Sequence, residues 1–139
     1  NQWIVGSGAF LPWLNEVPDP RWRPLRDLLA EAYQRYQRPI VLSETSHPGE
    51  DRPLWIRFVA RECAAALRRH VPLLGVCLYP IIDRPDWDHL TPWHRSGLWD
   101  AAPEGTVLLP DETPGRVLCL PYAEALLDAQ ASVAAALAE

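Results

Sequence analysis

Glu44 closes a short apolar run, Pro39-Ile40-Val41-Leu42-Ser43, and is followed by Thr45-Ser46. A run of this kind reads as a parallel strand buried on both faces. The carboxyl ends of such strands are where α/β proteins keep ligands and catalytic groups, so Glu44 stands where a functional acid would be. A second group, Tyr79-Pro80-Ile81-Ile82-Asp83-Arg84-Pro85-Asp86-Trp87, follows the next apolar run. Carboxylates accept hydrogen bonds from hydroxyls, and Tyr or Trp faces stack on the C–H side of a sugar ring. Asp86, Asp88, His89 and His94 have the donor types of a metal site. Their spacing matches no strong zinc motif, and a polar loop explains them, so no metal or other cofactor is expected.

The elements around these groups follow from periodicity. Residues 1–20, with Gly6, Gly8, Pro12, Pro18 and Pro20, read as loop. Pro24 suits the first turn of a helix in which Leu25, Leu28, Leu29, Ala32, Tyr33 and Tyr36 recur at helical spacing. Arg38-Pro39 ends it, and the strand 39–44 follows. Past a polar loop at 46–53, Pro53 opens a second helix whose buried stripe is Trp55, Phe58, Val59, Cys63, Ala66 and Leu67. Leu73 to Tyr79 is the next strand. Helix, strand, helix, strand at these lengths is a β/α repeat, and its strands are expected to be parallel. Neighbouring parallel strands lie about 4.8 Å apart, so Glu44 and the Tyr79–Trp87 group would share one rim. Residues 83–104 form a long irregular segment, a length that points to function. Val117–Leu120 reads as extended, and a last Ala/Leu-rich helix starts near Pro121. Two clear strands are too few for a covered parallel sheet, so further strands are expected from elsewhere.

The bulk composition narrows the class. The chain has 139 residues, 48% hydrophobic and 22% charged, which fits one globular unit rather than a disordered chain. A net charge of -5 argues against a nucleic-acid partner. All thirteen basic residues are Arg, which we read as codon bias. No run approaches membrane-spanning length, so no membrane partner is expected. Cys63, Cys77 and Cys119 are an odd set without C-x-x-C spacing and read as buried inert thiols, which places the chain in a reducing, cytoplasmic compartment. There is no Met, and the chain opens Asn1-Gln2-Trp3, so a fragment of a longer protein is expected.

The order of these segments resembles the carboxyl-terminal part of family 1 glycoside hydrolases, the β-glucosidase type of (β/α)8 TIM barrel. In that family a Tyr-rich helix end leads into P-I-Y-I-T-E-N-G, as Tyr33 to Arg38 here leads into Pro39-Ile40-Val41-Leu42-Ser43-Glu44-Thr45-Ser46. The family's next strand ends W-S-L-L-D-N-F-E-W, against Tyr79 to Trp87 here, and its R-F-G-L-V segment has Arg95-Ser96-Gly97-Leu98-Trp99 as counterpart. The likeness covers roughly residues 25–125. It implies an α/β fold in which residues 1–139 are a single partial domain, the last β/α units of the barrel, with an active-site loop at 83–104. It also implies retaining hydrolysis of a β-linked glycoside, with Glu44 as nucleophile. Asp86 and Trp87 would bind hydroxyls, and Tyr79 would replace the sugar-platform Trp. Two carboxyl groups about 5–5.5 Å apart perform such a reaction, one as nucleophile and one as acid then base. The family's acid/base lies N-terminal to all of this chain, which has no N-E-P motif. The fragment would therefore need the N-terminal barrel portion and be inactive alone.

Other readings accompany each residue. On position alone Glu44 reads first as a solvated strand-end residue. Asp83 would cap the following loop or pair with Arg84, and Glu50 and Asp51 are acids favoured at a helix N-terminus. Trp3, Trp13, Trp22 and Trp55 read as packing residues, although Gln2 and Trp3 would line the same cleft if a strand ends just before Asn1. Thr45-Ser46, Tyr79 and Asp86 depart from the family pattern. Those departures keep open a non-catalytic barrel that binds a sugar or acts in assembly. A metal-dependent hydrolase using residues 86–94 is a third reading.

Overall fold

The computed structural model describes residues 3–4, 10–11, 19–85, 93–102 and 115–139. Within them the chain is a mixed α/β structure with a small parallel sheet. Helix α1 (Leu25–Tyr36) starts after Pro24 and stops at Gln37. Gln37 adopts the left-handed conformation, with φ 50°, and its backbone N–H donates to the Tyr33 carbonyl at 2.8 Å. That reversal, and the Pro39 that follows, direct the chain into strand β3 (Ile40–Thr45). A 3-10 turn at Gly49–Asp51 leads into α2 (Arg52–Leu67), with Pro53 in its first turn, and the chain returns through β4 (Leu73–Leu78). Asp51 is the residue before α2 but makes no side-chain capping bond.

Strands β3 and β4 pair in parallel, as the repeat predicts. Two aliphatic cores flank α2. The first joins Leu29 of α1 with Trp55, Phe58, Val59, Cys63 and Ala66 of α2, and with Val71 and Leu73; Ile40 and Leu42 pack on it from β3. The second joins Ile56 and Ala60 to Tyr122, Ala125 and Ala129 of the last helix, α3 (Leu120–Leu137). Alanines at the seam let α3 lie directly on α2. Arg26 ties α1 to α2, its backbone N–H and guanidinium both donating to the buried Glu62 carboxylate.

Four expectations are corrected. The strands are not buried on both faces: Val41 is 50% and Leu74 72% exposed. The helices cover one face, and β4 is paired along one edge only among the described residues. Of the three thiols only Cys63 is buried; Cys77 is exposed and Cys119 half-buried, because Cys77 points away from the helices. Residues 1–20 include two short antiparallel strands, β1 (Trp3–Ile4) and β2 (Phe10–Leu11), in register Trp3↔Leu11 and Ile4↔Phe10. The 83–104 segment is not irregular throughout. Its part β5 (Trp99–Ala101) bridges to Ile82 and pairs antiparallel with β6 (Arg116–Leu118). No helix among the described residues is long and apolar enough to cross a membrane.

Candidate functional site

The end of β3 is bent by its register. Leu42 pairs with Val76 and Thr45 with Leu78, so β3 spends three steps where β4 spends two. The extra residue is a bulge at Ser43-Glu44, a device that re-aims side chains beside functional sites. Thr45 is buried, and its hydroxyl accepts a hydrogen bond at 2.9 Å from the Trp55 indole of α2. Leu42 also packs toward the helices. Strand alternation then sends Glu44, the residue before Thr45, to the opposite face, where it is exposed. The His47 ring lies 5.8 Å from that of Trp55, with its Nδ1 2.8 Å from the Pro48 carbonyl.

The end of β4 lies against this bend. Leu74, Val76 and Leu78 line the helix side with Ile56 and Ala60. Cys77 and Tyr79 alternate onto the other face, the one that carries Glu44. The Tyr79 N–H donates to the Thr45 carbonyl at 3.2 Å, which locks the two strand ends together. The Tyr79-Pro80 peptide is cis. The Arg84 guanidinium stands 5.5 Å over the Tyr79 ring and donates to the Pro85 carbonyl.

Beyond Tyr79 the chain is pinned by a buried polar hub. Asp83, 2% exposed, accepts backbone hydrogen bonds from Ser96 at 3.0 Å and Arg95 at 3.2 Å. It therefore caps the returning segment, one of the two roles expected for it. Gly97 presses on the Asp83 backbone: a Cβ there would meet the Asp83 nitrogen, the Ile82 carbonyl carbon at 2.8 Å and the Asp83 Cα at 2.9 Å. Only a residue without a side chain fits.

Arg52, at the start of α2 and fully buried, joins the two halves of the rim. It donates to the Gly49 carbonyl (2.8 Å), the Gly97 carbonyl (2.6 Å) and both Asp100 oxygens (2.7 and 3.0 Å). Gly49 itself, at φ 73°, donates its N–H to the Arg95 carbonyl. Burial works against the Arg52 charge, but the hydrogen bonds and charge of Asp100 outweigh it and hold the guanidinium above its ordinary pKa. Arg95 bridges Glu50 at 2.5 Å and Asp100 at 3.6 Å. Arg116 donates to the Asp83 carbonyl and stands 5.3 Å over Trp93.

Of the residues marked by sequence, Glu44 and Tyr79 come to one face of neighbouring strand ends. Gln2, Asp86 and Trp87 lie outside the described residues, as do Asp88 and His89. Trp3 lies in β1, where its side chain is likewise outside the description. His94 is exposed. Arg52, Gly97 and Asp100 carry the rim's architecture without any mark in composition or periodicity; for Gly97 the sole signal is its place in Arg95-Ser96-Gly97-Leu98-Trp99. No protein-family model matches the chain. No curated protein matches it either.

Proposed function

We propose that this chain is the carboxyl-terminal part of a (β/α)8-barrel glycoside hydrolase that cleaves β-linked glycosides with retention and without a cofactor. The observation that carries the reading is the pairing of Glu44 and Tyr79 on one face at the carboxyl ends of adjacent parallel strands. The Tyr79 N–H to Thr45 carbonyl bond fixes it. In the reaction the Glu44 carboxylate attacks the anomeric carbon and forms a glycosyl ester. The glycosidic oxygen departs with a proton from a second carboxylic acid. Water then cleaves the ester, giving up its proton to that same residue. Residues N-terminal to this chain would supply the acid/base, while Tyr79 stacks on the ring and Asp86, Trp87, Gln2 and Trp3 complete the hollow.

The exposed sheet supports the same reading. An apolar groove of about 310 Å³ lies between β4 and α3, lined by Leu74, Val76, Val133 and Leu137. A further β/α unit of a barrel packs on a surface of this kind. The test is incubation of the full-length protein with a 2-fluoro-glycoside, followed by peptide mapping. The expected label sits on Glu44. Glu44→Gln should remain unlabelled and lose about 10⁴-fold or more in turnover. A protein that is not labelled, with function untouched in Glu44→Gln, would end the reading.

One observation favours a second reading, a barrel that binds a sugar without cleaving it. Arg84 covers one face of Tyr79, the ring on which a sugar would stack. In that case Glu44→Gln leaves glycoside affinity unchanged, and no covalent adduct forms.

A further inference from the structure

We infer that Cys77 is a wall of the hollow beside Glu44, so that its modification closes the approach to that carboxylate. The inference rests on the glycosidase reading for what occupies the hollow, but its geometry comes from the strand register alone. Leu42 pairs with Val76 and Thr45 with Leu78, which leaves Cys77 facing the Ser43-Glu44 bulge. Leu78 packs toward α2 and α3, so Cys77 points the other way, to the face of Glu44 and Tyr79. Both Cys77 and Glu44 are exposed there. A thiol on the neighbouring strand is within reach of any group large enough to occupy the space over Glu44, because adjacent strands are about 4.8 Å apart.

The other two cysteines behave as internal controls. Cys63 is fully buried in the first core, and burial, with the nearby Glu62 charge, pushes its thiol up to about 11. It should resist alkylation. Cys119 is half-buried before α3 and should react more slowly than Cys77. With iodoacetamide the Cys77 sulfur forms a bond to the reagent's CH2 carbon, the carbon–iodine bond breaks, iodide leaves, and the thiol proton passes to solvent.

Two measurements on the full-length protein test this. In the first, Glu44→Cys is oxidised with diamide. Two thiols become a disulfide and diamide becomes the hydrazine. Adjacent strand positions fall within the Cα separation of about 4.4–6.8 Å that a disulfide needs. A disulfide between the thiol introduced by Glu44→Cys and that of Cys77 should appear in a non-reduced digest and vanish when Cys77→Ser is added. In the second, alkylation of Cys77 should slow 2-fluoro-glycoside labelling of Glu44 by about a hundredfold, the effect of displacing a reactant by an ångström or so. In Cys77→Ser, and in Cys77→Ala as a second variant, the labelling rate should no longer respond to iodoacetamide. Absence of the cross-link in folded Glu44→Cys overturns the inference. So does an alkylated Cys77 that leaves labelling unchanged. A cross-link that forms in a protein no glycoside labels keeps Cys77 beside position 44 and removes the glycosidase reading instead.

Discussion

Removing Arg52 should cost far more than removing any exposed arginine of this chain. Arg52→Ala strands the Asp100 carboxylate, which is 14% exposed, and orphans the carbonyls of Gly49 and Gly97. Breaking a buried ion pair costs about 3–5 kcal/mol, because the remaining charge keeps its desolvation penalty. Each orphaned carbonyl adds about 1 kcal/mol. Asp100 regains some solvation through its exposed edge, and Arg95 stands 3.6 Å away as partial compensation. The low end of the ion-pair range therefore applies, and the total is about 4–5 kcal/mol. Against a typical domain stability of about 5–15 kcal/mol that is a large fraction.

The comparison that makes this test sharp is Arg57. Its pair with Asp128 is as short, 2.8 Å, but both side chains are substantially exposed, so Arg57→Ala should cost about 0–1 kcal/mol. Urea unfolding of the full-length protein measures both, through the midpoint at unchanged slope. A double change, Arg52→Met with Asp100→Leu, removes the stranded charge but still orphans two carbonyls. It should cost about 2 kcal/mol, less than Arg52→Ala alone. An Arg52→Ala protein no less stable than Arg57→Ala would refute the placement of Arg52 as a buried hub.

Three further outcomes follow from the same contacts. Gly97→Ala forces a methyl into the Asp83 backbone and should destabilise by about 1–3 kcal/mol or more, read in urea, with loss of the Asp83 N–H to Trp99 carbonyl bond; a neutral result would disprove the close approach. Trp55→Phe keeps the ring but removes the donor to Thr45, so it should cost about 0.5–1.5 kcal/mol, and Thr45→Val combined with it should cost less than the sum of the two single changes. Burial raises the thiol of Cys63 from 9.0 to about 11, and burial raises the phenol of Tyr122 from 10.0 to about 12 against the opposing charge of Arg52. Unfolding releases these protons earlier than the native state does, so the contribution of both groups is complete below pH 9 and is lost progressively up to about pH 12. Denaturation curves from pH 8 upward should show stability falling over that window, and a flat profile would show that neither group is buried in its neutral form.

Much of the scaffold was legible in the residues because the punctuation is local. Pro24, Arg38-Pro39 and Pro53 mark helix boundaries by steric rules that act within a turn, and α1 and α2 begin and end close to them. The buried stripe of α2 follows from helical spacing, and the parallel pairing follows from the length of the connection. What was hidden depends on neighbours remote in sequence. Periodicity reports that Val41 and Leu74 are apolar but not what covers them, and here nothing among the described residues does. The bulge at Ser43-Glu44 arises from a register between two strands, which neither strand encodes by itself. Arg52 is one of thirteen arginines, and its burial follows from Gly97 and Asp100 arriving from more than forty positions away. Gly97 was visible as part of a motif, but its cause, the Asp83 backbone, was not.

The first turns of α2 hold both sides of the candidate site. Trp55 fixes Thr45 toward the helices and so turns Glu44 the other way, while Arg52, three residues earlier, clamps Gly97 and Asp100 and so places the segment that follows Tyr79. These anchors differ in kind. The Trp55 bond is a single neutral contact, whereas the Arg52 contacts are charge-assisted and directional, and a lysine in its place cannot reproduce a fork with donors on three sides. The carboxylate at position 44 is thus oriented by the weaker anchor and the loop beyond β4 by the stronger one. A ligand that fills the hollow therefore meets a rigid far wall and a near wall that can adjust about Glu44. That division suits a site in which one carboxylate must approach a reacting carbon while the rest of the sugar is held still.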